Sequence, residues 1–135
     1  LNVAIAGFGT IGSGVAHVLK QHSEHSDSII NLVGILERDP QGIFAQPWFE
    51  NKPELFYENQ EKLFADSRVD VIIETIGGSK FARELTMTAL QNGKHVITAN
   101  KDLIAVHGAE LMCFGLTAAF FTSICCRACS TARPF

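Results

Sequence analysis

A glycine-rich segment near the start of the chain has the spacing of a dinucleotide-binding turn. Residues 7–12 read Gly-Phe-Gly-Thr-Ile-Gly, directly after a short apolar run and before a segment with helical spacing. In such a turn Gly7 permits the tight reversal, Gly9 lets the backbone approach a pyrophosphate, and Gly12 lets the helix pack close to the strand. The helix N-terminus then presents unpaired N–H groups to the anion. The segment therefore predicts an NAD- or NADP-binding site, with a plain glycine-rich turn as the alternative.

The choice of cofactor depends on the residues that end the second predicted strand, Glu37 and Arg38. A carboxylate at this place accepts hydrogen bonds from the ribose hydroxyls and repels a 2′-phosphate, whereas an arginine attracts the phosphate. Successive side chains of a strand point to opposite faces, so both can face the ribose only if the strand has already ended. The sequence leaves NAD and NADP open, and it also leaves open that both side chains are merely solvated.

Two further segments end predicted strands and are expected on the same rim of the sheet. Residues 74–78 read Glu-Thr-Ile-Gly-Gly and residues 98–101 read Thr-Ala-Asn-Lys. Ligands of doubly wound sheets collect at the carboxyl ends of the strands. Lys101 is placed to contact the nicotinamide end of a cofactor or a substrate oxygen, where a cation stabilises developing charge. The alternatives are a plain turn and a solvated surface lysine.

The elements that position these segments alternate between strands and helices. Apolar runs predict strands at residues 2–6, 30–36, 54–57, 69–73 and 95–98. Apolar residues at helical spacing predict helices at residues 12–21, 60–65 and 81–91, with a shorter helical segment up to residue 111. Asn59 is expected to cap the second helix, and Asn92-Gly93 to end the third in a left-handed conformation. The alternation predicts an α/β fold, a Rossmann-like doubly wound parallel sheet that is incomplete at its C-terminal end.

The overall composition limits the classes of function. The chain has 135 residues, of which 47% are hydrophobic and 19% charged, and a formal net charge of −3. Its basic residues form no cluster, which argues against nucleic acid as a partner. It has neither the roughly 20 apolar residues that span a bilayer nor the basic start of a signal peptide. We therefore expect one cytoplasmic domain without a membrane partner.

The composition changes abruptly after residue 110. Residues 111–135 contain no acidic residue and all four cysteines, whereas all 14 acidic residues come before them. We therefore predict an NAD(P)-binding Rossmann domain at 1–110 and an atypical tail at 111–135, produced by a shifted reading frame or a truncated gene. The tail carries a C-x-x-C at residues 126–129, but without a second ligand pair it predicts no metal site. Residues 116–124 have the composition of one replacement strand.

Several segments together resemble the N-terminal nucleotide-binding part of homoserine dehydrogenase, namely residues 7–15, 38–40, 70–90 and 93–101 followed by His107-Gly108. The Glu-Thr-Ile-Gly-Gly and Thr-Ala-Asn-Lys segments carry the resemblance, because the glycine-rich turn is shared with many dehydrogenases. The resemblance implies NAD(P)-linked interconversion of aspartate 4-semialdehyde and L-homoserine, in the pathway to threonine, isoleucine and methionine. This sequence departs from the family pattern at Glu37, an added acid, and at Phe81, where the family usually has proline.

The resemblance also implies roles for individual residues. Arg38 would face a 2′-phosphate, and Lys101 would be the active-site lysine near the nicotinamide and the substrate oxygen. The residues expected to bind the cofactor are Gly7, Phe8, Gly9, Thr10, Ile11, Gly12, Glu37, Arg38, Thr75, Ile76, Gly77, Gly78, Asn100 and Lys101.

Full-length relatives are expected to carry a dimerisation region and a substrate domain and to be homo-oligomers. Neither region has a counterpart in these 135 residues, so a small-molecule substrate is expected only if the missing domain is supplied. A catalytically inactive nucleotide-binding fragment and a poorly folded fragment are the alternatives to a dehydrogenase.

Overall fold

The computed structural model describes residues 1–23, 29–39, 53–117 and 122–124. Within these ranges the chain forms one sheet, whose strands are β1 (Asn2–Ala6), β2 (Asn31–Leu36), β3 (Phe56–Tyr57), β4 (Val71–Glu74), β5 (His95–Thr98) and β6 (Thr122–Ile124). Their spatial order is β3-β2-β1-β4-β5-β6, and every neighbouring pair is parallel. This is the doubly wound order of a Rossmann fold, and it confirms the predicted fold class.

The helices that connect these strands are α1 (Thr10–Ser23), α2 (Gln60–Ala65), α3 (Lys80–Gln91) and α4 (Lys101–Thr117), with a 3-10 turn (Pro53–Leu55) before β3. Asn59 caps α2 as predicted, because its side-chain oxygen accepts a hydrogen bond from the Lys62 N–H at 2.9 Å. Gly93 follows the end of α3 with a φ of 74°. This left-handed residue confirms the predicted end of the helix.

The sheet is covered on both faces. Ala4, Ile72 and Val96 belong to a core cluster that includes residues of α2 and α3. Ile5 and Ile35 pack on the opposite face in a cluster with residues of α1. Because neighbouring side chains of a strand alternate between faces, consecutive residues of β1 enter different clusters. Burial on both sides explains why the central strands carry apolar residues on both faces.

The helix after β5 is longer than predicted. Instead of ending at residue 111, α4 continues to Thr117. Leu103 and Leu111 are both 0% exposed and share a cluster with Ala82 of α3, so packing holds the helix across the change in composition. The domain boundary at residue 110 stays a prediction.

Two elements near the edges of the sheet also bear on the sequence analysis. Residues 54–57, predicted as one edge strand, divide between the 3-10 turn and the two-residue strand β3. The replacement strand predicted within residues 116–124 is present as β6, which pairs with β5 through Val96↔Thr122 and Thr98↔Ile124. The C-x-x-C of the tail lies outside the described residues. In the part of the chain that is described, no helix has both the length and the apolarity to cross a bilayer.

Candidate functional site

The glycine-rich turn connects β1 to α1 at the carboxyl end of the sheet. Gly7 has a φ of +91°, and its N–H donates to the Leu36 carbonyl at 2.9 Å. A Cβ added at Gly12 would lie 2.0 Å from the Gly7 carbonyl oxygen, whereas a Cβ added at Gly9 would have no atom within 4 Å. Gly12 is therefore required for packing between helix and turn, and Gly9 leaves the backbone open to a ligand.

The turn after β4 is bonded directly to the glycine-rich turn. The Thr75 hydroxyl donates to the Gly7 carbonyl at 2.7 Å, and the Thr75 N–H donates to the Ala6 carbonyl at 2.9 Å. A Cβ at Gly12 would also lie 2.8 Å from the Thr75 hydroxyl oxygen. Two segments that are far apart in the sequence thus form a single rim.

A cleft of about 370 Å³ lies between the glycine-rich turn, the end of β2 and the start of α2. We call it the first cleft. Glu37 and Arg38 line it together with Phe8 and Gly9. The strand β2 ends at Leu36, which meets the condition under which both side chains can face the same ligand.

The Glu37 carboxylate is held by backbone N–H groups. One of its oxygens accepts from the Phe8 N–H at 2.6 Å. The other accepts from the Arg38 N–H at 2.6 Å and from the Asp39 N–H at 3.4 Å. The carboxylate is therefore turned toward the glycine-rich turn, while Arg38 is exposed beside the cleft.

A second cleft of about 320 Å³ lies between the turn after β4 and the start of α4. Its lining includes Gly78, Asn100 and Lys101, and it shares Thr75, Ile76 and Gly77 with the first cleft. Lys101 is exposed there as the first residue of α4. The two clefts therefore adjoin across residues 75–77.

Beneath this rim, the Glu74 carboxyl group is completely buried. It contacts the Thr98 hydroxyl and accepts the Ile76 N–H at 2.7 Å. Burial raises the pKa of Glu74 above its usual value, and hydrogen bonds from Thr98, the Ile76 N–H and Asn100 offset part of this increase.

Replacing Glu74 with glutamine is expected to make stability less dependent on pH. A raised folded-state pKa means that the folded chain holds the Glu74 proton more tightly than the unfolded chain does. This stabilisation is complete below the unfolded-state pKa of about 4.3 and is lost as the pH rises through the folded-state value. The unfolding free energy of Glu74→Gln should therefore increase relative to wild type over that interval, measured by urea unfolding at several pH values.

Glu84→Gln, which removes an exposed carboxyl of α3, controls for the loss of one acid. If the unfolding free energies of Glu74→Gln and wild type differ by a constant amount over this range of pH, the prediction is wrong.

The structure brings most of the predicted site residues to the two clefts. Thr10 and Gly12 line neither cleft, and Gly12 is buried beneath the turn. Glu74 and Thr98 were predicted only as members of the segments 74–78 and 98–101, with no role of their own, and the start of α2 was not predicted to line the first cleft. The available sequence signal was a lone acid that follows a β-branched run, which points to Glu74. The position of α2 beside the first cleft follows from the pairing of β3 with β2, which no sequence pattern shows.

Comparison with known proteins identifies the family. A family model described as the homoserine dehydrogenase NAD-binding domain matches residues 7–117. The chain belongs to the homoserine dehydrogenase family. The homoserine dehydrogenase of Corynebacterium glutamicum is 36% identical over 115 residues, which cover 82% of this chain and 25% of that protein. The homoserine dehydrogenase of Bacillus subtilis is 34% identical over 119 residues, which cover 83% of this chain and 26% of that protein. The chain thus spans about a quarter of the length of these curated homoserine dehydrogenases.

Solved structures of homoserine dehydrogenases are similar to this chain. The structure of the Thiobacillus denitrificans enzyme has a TM-score of 0.80 at 30% identity, and the match covers 92% of this chain and 29% of that one. The structure of the Staphylococcus aureus enzyme at pH 6.0 has a TM-score of 0.76 at 32% identity, and the match covers 92% of this chain and 32% of that one. An NAD-binding protein from Listeria innocua, at 20% identity and a TM-score of 0.70, shares the fold alone. The resemblance predicted from the sequence is confirmed.

Proposed function

We propose that this chain is the nucleotide-binding part of a homoserine dehydrogenase and binds NADP or NAD along the two adjoining clefts. The observation that carries the proposal is the open backbone at Gly9, which directly precedes α1 and lines the first cleft. A dinucleotide pyrophosphate placed there meets the N–H groups of a helix N-terminus. The adenosine half then lies beside Arg38 and the nicotinamide half extends toward Lys101.

The residues of both clefts fit such a ligand. Gly9 offers no side chain that would keep a diphosphate away from the backbone, and the exposed Arg38 and Lys101 supply positive charge at the two ends. When bound, the nicotinamide would supply hydride transfer in the interconversion of L-homoserine and aspartate 4-semialdehyde. The Lys101 ammonium group would stabilise negative charge on the substrate oxygen.

We further infer that Arg38 recognises a 2′-phosphate, so that the chain prefers NADP. The Glu37 carboxylate accepts three backbone N–H groups, which partly neutralise its repulsion of a phosphate. Arg38→Ala is expected to weaken NADPH binding about tenfold, the loss of one charge-assisted hydrogen bond, and to change NADH binding less than about twofold. Isothermal titration of both cofactors measures this.

The matched control is Arg83→Ala, which removes a guanidinium of α3 that pairs with Glu110 and lines neither cleft. Equal losses for NADPH and NADH in Arg38→Ala would contradict the role of Arg38. Wild-type chain that binds neither cofactor would contradict the proposed function itself.

The alternative is that this chain, assayed alone, binds the nucleotide but does not catalyse the reaction. This alternative is favoured because the chain spans only about a quarter of the length of its curated relatives. Incubation with L-homoserine and NADP is then expected to give no NADPH above background. NADPH formation at an enzyme-like rate would contradict this expectation. The cytoplasmic location and the homo-oligomeric state of full-length relatives stay predictions.

A further inference from the structure

Two buried polar side chains, Glu74 and Thr98, lie side by side beneath the second cleft. The strand register pairs them at the ends of β4 and β5, and the Thr98 hydroxyl contacts the Glu74 carboxyl group. The other Glu74 oxygen accepts the Ile76 N–H at 2.7 Å. Both side chains are 0% exposed, so any effect on a ligand must pass through the residues that they hold.

Asn100 connects this buried pair to the surface of the second cleft. Its N–H donates to the Thr98 hydroxyl oxygen at 3.0 Å. Its side-chain amide donates to the carbonyls of Ile76 at 2.7 Å and Gly78 at 2.6 Å. Its side-chain oxygen accepts the Leu103 N–H at 3.1 Å in the first turn of α4. One side chain therefore joins the turn after β4 to the start of α4, which form the two walls of the cleft.

We propose that Glu74 and Thr98 are positioning residues for the nicotinamide half of the ligand. By holding Asn100, they fix the turn at residues 76–78 relative to Lys101. A site held in place before the ligand arrives avoids the cost of ordering its walls on binding. The inference rests on the proposed function and adds to it the residues that shape the second cleft.

Thr86 provides a matched comparison for Thr98. Both threonines are 0% exposed, but Thr86 is in α3 and its hydroxyl has no hydrogen-bond partner among the described residues. Threonine-to-valine substitution makes the same chemical change at two fully buried positions. A difference in cofactor binding between the two variants therefore reports the hydrogen bonds that connect Thr98 to the cleft.

The experiment titrates the full 135-residue chain with NADPH and with 2′-phospho-ADP-ribose, which lacks the nicotinamide. Thr98→Val is expected to weaken NADPH binding about tenfold, because the Asn100 N–H and the Glu74 carboxyl lose their partner. Binding of 2′-phospho-ADP-ribose is expected to stay within about twofold of wild type. Thr98→Ser keeps the hydroxyl and should bind NADPH as the wild type does. Thr86→Val should leave the binding of both ligands unchanged.

Equal losses of both ligands in Thr98→Val would overturn the inference, because a general structural defect affects both halves of the site. Unchanged NADPH binding, or equal affinity of the wild-type chain for the two ligands, would overturn it as well. If Thr98→Val does not unfold cooperatively, Thr98→Ala, which removes the hydroxyl together with the side-chain methyl group, takes its place. Wild-type chain that binds neither ligand contradicts the proposed function, which distinguishes that failure from the others.

Discussion

Replacing Gly12 with alanine is expected to lower the free energy of unfolding by about 3 kcal/mol, the upper part of the usual range for an overpacked core. The added Cβ would lie 2.0 Å from the Gly7 carbonyl oxygen and 2.8 Å from the Thr75 hydroxyl oxygen. A backbone carbonyl cannot rotate away as the end of a flexible side chain can, so α1 would have to move from the sheet. Urea unfolding followed by circular dichroism measures the loss.

Gly14→Ala is the matched control, two residues further along the same helix. A Cβ at Gly14 would have no atom within 4 Å, and alanine is the better helix former by about 1 kcal/mol. Gly14→Ala should therefore raise the unfolding free energy while Gly12→Ala lowers it. Similar stabilities for Gly12→Ala and wild type would show that α1 does not pack on the turn as described.

Replacing Gly9 with alanine is expected to leave stability unchanged and to weaken cofactor binding at least about tenfold, or 1.4 kcal/mol. The fold tolerates the change, because the new Cβ meets no atom within 4 Å and the backbone of Gly9 is outside the left-handed region. The same Cβ would occupy the space through which a pyrophosphate approaches the helix N-terminus. Thermal unfolding and titration with NADPH measure the two effects separately.

Titration with the ligand that lacks nicotinamide distinguishes the effect of Gly9→Ala from that of Thr98→Val. A pyrophosphate is present in both NADPH and 2′-phospho-ADP-ribose, so Gly9→Ala should weaken both equally, whereas Thr98→Val should weaken only NADPH. NADPH binding by Gly9→Ala at wild-type strength would place the pyrophosphate elsewhere.

Local patterns were sufficient to predict the strands that carry the site. β1 and β5 have the predicted bounds, and the predicted bounds of β2 and β4 lie within one or two residues of the observed ones. These strands are buried on both faces, so apolar residues dominate their sequences and can be recognised without knowledge of the neighbouring strands. The end of α4 was predicted less well, because Phe114, beyond the predicted end, packs against the core cluster that includes residues of α3, a contact between elements that are separated in the sequence.

The sequence by itself determined the fold class and the segments that meet at the rim of the sheet, since these follow from short-range spacing and from the order of strands and helices. Its resemblance to known sequences indicated the family. Only the tertiary structure decided where individual side chains go. Glu37 faces the Phe8 N–H, and Glu74 joins Thr98 beneath the second cleft. Both contacts connect residues more than 20 positions apart. Their direction depends on where a strand ends and on which strand lies beside it, which hydrogen bonding across the whole sheet fixes and no local pattern records.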